Sequence, residues 1–412
     1  MDRNESPSGA QIAAPLPQGA SLEGPGKAFL LLWLCGIALR ATVLAVPPVI
    51  PLLHADLHLT ETDVGVLGSL PPLLFAVAAV PGSLLIAKAG AKTALLTGLL
   101  LTAIGGALRA AAPDLLMLDL MTVVMTAGVA IMQPSLPPLV RQWTPRTVGF
   151  STALYTNGLL VGEILAVSLT IPLILPLLGG SWRLAFVFWS LPVLLTALLL
   201  RPLAPRTPAA SPHAPRIPKR WSPDWRSGLT WRLGFMAAGI NTIYFGSNAF
   251  LPDYLTAAGR TDLIAIALPA LNIGQLPASF LMLAFADRLA LRAWPYISLG
   301  AAAILCAIGM VLLPTPWVTL FAALLGFIAA SGLILTLALP PLLSAHGDEH
   351  RTAAGMFTIS YGCAVVLSVL GGMIWDATGQ PMVALIPVAI SGVALILLAA
   401  TTDLRRHRHI QV

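Results

Sequence analysis

Two charged side chains lie deep inside apolar runs of this chain, and both have the chemistry to handle small ions. Arg40 sits near the middle of the run 29–53, roughly 15 Å from either end at helical rise. A guanidinium at that depth cannot easily reach an interface, so it should face the protein interior or a water-filled cavity. Its forked donors fit a carboxylate or another small planar anion, and they equally fit an internal acid such as Glu163. Glu163 lies inside the run 147–178. Burial disfavours a carboxylate's charge and a nearby arginine favours it, so this group suits reversible proton uptake or a fixed counter-ion role.

Amides and phenols form the second set. Asn241, Tyr244 and Asn248 stand at i, i+3 and i+7, one face of a helix, and Asn272, Gln275 and Ser279 repeat the pattern. Such stripes avoid lipid, and they serve either solute contact or hydrogen bonding between helices. Counting back from Pro51 and Pro252 makes Asn241 the counterpart of Arg40. Gln133 is a further amide inside an apolar run. Tyr155 and Tyr361 occupy equivalent places near the starts of two runs, where a tyrosine either anchors at the interface, gates a cavity or touches solute.

The elements that must position these groups follow from composition. Apolar residues make up 57% of the chain and charged residues 10%, far from soluble usage. Stretches long enough to span a bilayer recur throughout. The first half reads as spans 29–53, 63–87, 92–111, 115–140, 147–178 and 182–200, the second as 229–255, 262–286, 293–313, 316–343, 351–375 and 381–401. The halves echo each other. Leu70-Pro71 after Thr62-Asp63 returns as Leu268-Pro269 after Thr261-Asp262, and Leu136-Pro137-Pro138-Leu139 as Leu339-Pro340-Pro341-Leu342. Gly149 to Tyr155 matches Gly355 to Tyr361, with Gly, Thr and Tyr in register.

This duplication predicts an all-α membrane protein with twelve transmembrane helices in two pseudo-symmetric bundles, 28–200 and 229–402. A basic, proline-rich linker, 201–228, joins them, and polar tails, 1–27 and 403–412, flank them. The first tail reads as disordered rather than as a signal peptide. Two repeats around a central site form the architecture of a rocking transporter.

Of the 23 Lys and Arg, 19 fall on one side of these spans; Arg40 lies within a span, and Arg109, Arg183 and Arg260 fall on the other side. The positive-inside rule then places both termini in the cytoplasm. The net charge of +6 is thus a topological signal, and its scatter over short loops argues against nucleic acid. No phosphate-binding loop or other enzyme motif occurs, and no cofactor is called for. Cys35, Cys306 and Cys363 lie within spans and read as small buried side chains. His54-Ala-Asp56-Leu-His58 reads as a solvated loop before a metal site.

Short motifs add a family resemblance. Trp182-Arg183-Leu-Ala185-Phe186 resembles a signature of the major facilitator superfamily, with Trp182 and Arg183 read as outer-surface anchors. Ala286-Asp287-Arg288-Leu-Ala290-Leu-Arg292 resembles that superfamily's acidic–basic loop, with alanine in place of its glycine; the first-half copy has Ala87 where the acid usually stands. That loop implies a gating role for Asp287 and Arg288. Leu39-Arg40, Gly128 to Arg141 and Tyr155 are similar to the cyanate permease and nitroimidazole transporter (CynX/NimT) group.

The resemblance implies a bacterial inner-membrane secondary carrier whose first helix lines a central cavity; nothing in the sequence argues for oligomers, so a monomer is the expectation. Arg40, Asn241, Tyr244, Gln133, Tyr155, Tyr361, Asn272 and Gln275 would then face a small anionic or polar solute, and Glu163 would couple to protons. A nitroaromatic exporter and a non-transporting membrane sensor are the alternatives; the short loops, which host no signalling domain, argue against the sensor.

Overall fold

The structure is a computed structural model that describes residues 26–205, 220–313, 316–380, 383 and 385–402. Residues 1–25 and 403–412 of the tails and 206–219 of the linker lie outside these residues, while Gly26 and Lys27, read above as the end of the first tail, begin the first helix. The first half comprises α1 (Gly26–Arg40), α2 (Ile50–Leu57), α3 (Glu61–Ala89), α4 (Ala91–Leu108), α5 (Leu115–Trp143), α6 (Val148–Leu169), α7 (Leu175–Leu177) and α8 (Trp182–Leu203). The second comprises α9 (Gly228–Ala257), α10 (Ile264–Ile273), α11 (Gln275–Leu289), α12 (Ala293–Leu312), α13 (Pro316–Leu337), α14 (Leu339–Leu343), α15 (Glu349–Thr378) and α16 (Ile386–Thr401).

Among the described residues, nine helical stretches are long and apolar enough to cross a bilayer. Three further crossings complete the predicted twelve. Broken α1–α2 supplies the first, polar-striped α9 the seventh, and the shorter α16 the twelfth.

Several spans are interrupted where the sequence contains proline. The first run is not one helix: α1 stops at Arg40, a turn follows, and Pro47–Val49 form a short 3-10 segment before α2. Pro47 and Pro48 would drive their rings into the carbonyls of Val43 and Leu44 in a continuous helix. The Thr42 carbonyl, left without a helical partner, accepts a 2.8 Å bond from Arg109 Nη2. Arg109 is therefore not at the outer surface as its sequence position implied. It is completely buried, with its guanidinium 4.2 Å over the Phe186 ring. A freed backbone carbonyl inside the bundle needs such a donor.

The two halves pack alike. In the first half α1 lies along α6, α3 along α5, and α8 against α4 and α1; in the second, α9 lies along α15, α10 and α11 along α13, and α16 against α12 and α9. The halves meet along two seams, α3 with α15 and α6 with α11. The α1–α6 crossing is close because glycine lines it. A Cβ on Gly162 would stand 2.7 Å from the Ile37 carbonyl oxygen, and Gly36 and Gly158 have no room for one either.

Trp182 is also buried rather than exposed at an interface, at 5% exposure. Its indole N–H donates to Asp56, which also pairs with Arg183. That guanidinium holds the Asp56 carboxyl below the usual carboxylate range.

Candidate functional site

Helix geometry brings the singled-out residues to one layer. Arg40 ends α1, Glu163 lies fifteen residues into α6 and Tyr244 sixteen into α9, each about 21–24 Å from the end of the bundle that carries the basic loops. Arg40, Asn241, Tyr244 and Gln275 line one cavity with Leu159, Leu160, Ile240, Phe245, Ala329 and Leu333. Its free volume is about 20 Å³, enough for roughly one water molecule. The halves are thus closed around a site too tight for a solute.

Arg40 is 9% exposed. Its guanidinium stands 5.6 Å over the Phe75 ring, and its Nε, fully buried, has no hydrogen-bond partner. Among the described residues no carboxylate lies within ion-pair distance of it. The pairing with Glu163 that the sequence left open is therefore not made here. Glu163 instead accepts a 2.6 Å bond from the Tyr244 hydroxyl, while still acting on Arg40 through space together with Tyr361 and Tyr244.

The amides form a network around that phenol. Tyr244 Oη lies 3.0 Å from Asn272 Oδ1. Asn272 Nδ2 donates to Asn248 Oδ1 at 3.2 Å and to the Leu268 carbonyl at 3.0 Å, and Gln275 Nε2 approaches Asn272 Oδ1 at 3.4 Å. Asn241 donates to Ser360 Oγ at 2.7 Å. Asn272 and Gln275 flank Gly274, where α10 gives way to α11.

Tyr361 lies about 18 Å along α15, too deep for an interfacial anchor. It stacks among Phe75, Phe245 and Phe357 and accepts a 3.3 Å bond from Gln133 Nε2. Tyr155, its repeat mate, is buried at the α1–α6 crossing, near Tyr361 but off the cavity wall.

Below the site the halves are tied together toward the basic end. Asn157 accepts from Trp33 Nε1 and donates to Ser279 Oγ, both at 3.0 Å. Thr358 Oγ1 donates to the Ala76 carbonyl at 2.9 Å. At the rim, Arg141 Nη1 meets Glu349 Oε1 at 2.8 Å and the Ser344 carbonyl at 2.9 Å. Across the other seam Asp287 accepts from the Gly149 amide at 2.7 Å, at the start of α6. A Cβ at Gly149 would come within 2.6 Å of the Asp287 amide nitrogen, so the approach needs glycine there. Arg288, next to Asp287, is exposed. A roomier cleft on the basic rim, about 530 Å³, is lined by Arg141 and Glu349 together with Arg220, His346 and His350. It shares no lining residue with the Arg40 cavity.

Sequence reasoning missed Phe75, Phe245, Asn157 and the Arg141–Glu349 pair. The aromatics look like ordinary core residues. The ion pair had one faint signal, opposite charges on the same-side loops of the two halves.

Comparison with known proteins places this architecture. Residues 32–345 match the sequence model of the Major Facilitator Superfamily. The chain is 26% identical over 358 residues to the uncharacterized transporter YycB of Bacillus subtilis (strain 168), covering 85% of this chain and 88% of that protein. It is 27% identical over 382 residues to the 2-nitroimidazole transporter of Escherichia coli (strain K12), covering 90% and 94%. The cyanate transport protein CynX of the same organism is 25% identical over 258 residues, covering 62% and 66%. Among solved structures, the transporter FucP in its outward conformation superposes with a TM-score of 0.70 at 18% identity, covering 90% of this chain and 98% of that one. That likeness concerns the fold.

Proposed function

This chain belongs to the Major Facilitator Superfamily and is a multi-pass secondary transporter, and we propose that its cargo is a small planar anion or strongly polar solute held by Arg40. One observation carries the reading: a buried guanidinium lines the central cavity with an unpartnered Nε and, among the described residues, no carboxylate in ion-pair reach. The Tyr361 hydroxyl and the more distant Glu163 act on this guanidinium, but its buried Nε donor stays unmet, and a planar anion would satisfy that free edge of the fork. Cyanate and short carboxylates have the required shape and charge, and the likeness to a cyanate transport protein supports that class.

Opposite Arg40, Asn241 and Gln275 would complete the polar wall. Glu163 would bind the coupling proton, because it faces the cavity's phenol and acts on Arg40 through space. The basic end would be cytoplasmic under the positive-inside rule. The ties from Asn157 to Glu349 then describe a carrier closed to the cytoplasm. Opening would separate those ties while the halves rock about the site. The protein would act in the bacterial inner membrane as a monomer.

A second cargo class has its own support. Phe75, Tyr361, Phe245 and Tyr244 present rings beside Arg40, which suits stacking of a flat nitro-heterocycle. The likeness to a 2-nitroimidazole transporter points the same way.

Thermal unfolding of the purified chain and of Arg40→Gln, titrated with cyanate, acetate and 2-nitroimidazole, tests both. A ligand of the folded state raises Tm as its concentration passes Kd. Stabilisation of the parent chain by anions, lost in Arg40→Gln, is the expected result. Equal stabilisation of both proteins by 2-nitroimidazole, with no anion effect, would assign Arg40 to structure and the cargo to the aromatic class.

A further inference from the structure

The Tyr244 hydroxyl has one proton and two acceptors within reach. Glu163 Oε1 lies 2.6 Å from it and Asn272 Oδ1 3.0 Å. The orientation of Asn272 is set independently, because its Nδ2 donates to the Leu268 carbonyl and to Asn248. Its carbonyl oxygen must therefore face Tyr244, where it can only accept. One phenolic proton cannot serve both contacts.

The charge of Glu163 decides which contact is a hydrogen bond. When Glu163 is ionised it can only accept, so Tyr244 donates to it and two oxygens face each other across the Tyr244–Asn272 gap. When Glu163 is protonated, its own O–H donates to Tyr244 Oη, and the phenolic O–H turns to Asn272 Oδ1. No O–H bond breaks at Tyr244. One proton arrives at Glu163 from solvent, and one hydroxyl rotates.

We infer that Tyr244 is a positioning residue that relays the protonation state of Glu163, in the first half, to Asn272 at the α10–α11 junction in the second. The inference rests on the reading of Glu163 as the proton site. Protonation ties α9 to α10 beside Gly274, and ionisation leaves that tie without its proton. The junction is sensitive to such a change, since a Cβ on Gly274 would collide with the Ala323 carbonyl of α13. The groups facing this relay are Arg40 from α1, Tyr361 from α15 and the Asn272 and Gln275 amides from α10 and α11, while α13 presents Ala329 and Leu333. Of these only Arg40 and Tyr361 carry ionisable groups. Proton binding thus reaches the wall of the solute cavity without a solute present.

The proton itself is the probe. Infrared difference spectra of the purified full chain, acid minus neutral, are recorded with isotope-labelled asparagine side-chain carbonyls. The parent chain should show a protonated-carboxyl band together with a shift of one labelled amide band. Asn272→Ala assigns that amide by removing it. Tyr244→Phe, which keeps the ring against Phe245, should retain the carboxyl band and lose the amide shift. An amide shift that survives Tyr244→Phe, or a parent chain with a carboxyl band and no amide shift, overturns the relay and leaves the proton site standing. A carboxyl band that survives Glu163→Gln places the proton elsewhere and overturns the reading beneath it.

Discussion

Neutralising Glu349 should open the carrier at its basic end. In the closed form Glu349 keeps only 4% of its side-chain exposure, and Arg141 16%. Arg141 also holds the Ser344 carbonyl, and Glu349 the Gly347 amide. Once the halves part, both charges return to water, so the pair's net worth to closure is that of one charge-assisted hydrogen bond, about 2 kcal/mol after desolvation. That energy is roughly a thirtyfold change in the closed-to-open ratio. A population about 99:1 closed would fall to about 3:1. Spin labels at Thr93 and Arg292, one on each half at the basic end, report the separation as a distance distribution. Glu349→Gln and Arg141→Gln should each add a longer distance, and the double variant should add little more than either alone. Unchanged distributions in the single variants would refute the lock. So would a double variant that opens by the sum of the two, because independent effects mean the pair is not the coupling element.

Two further outcomes follow from the frame around the site. Arg109→Met leaves the Thr42 carbonyl unsatisfied inside the bundle and should lower stability by about 1–3 kcal/mol, read as a fall in Tm; an unchanged Tm would mean that another donor takes over. Gly162→Leu pushes side-chain atoms into the Ile37 backbone and should cost about 1–3 kcal/mol, whereas Gly68→Ala, which has open space around it, should leave Tm level or raise it slightly; equal effects of the two would undo the packing argument at the α1–α6 crossing.

Much of this protein is written into its sequence. Apolar runs of bilayer length dictate helices, because no backbone group can stay unpaired in lipid. The repeated Leu-Pro-Pro and Gly-to-Tyr motifs announce two like halves, and those halves pack alike. Arg40, Asn241, Tyr244 and Gln275 were legible as a set because a polar group inside an apolar run has to face inward, and facing inward brings them to one cavity. What the sequence could not supply is who meets whom across the seams. Glu163 bonds Tyr244 rather than Arg40, and Arg141 finds Glu349 across more than two hundred residues of chain. Arg109 looked like a loop cation until the break after Arg40 exposed a carbonyl for it to cap. Periodicity reports only which face of a helix is buried. The rotation and depth at which two helices pack decide which polar atoms come within 3 Å, and those belong to the tertiary structure alone.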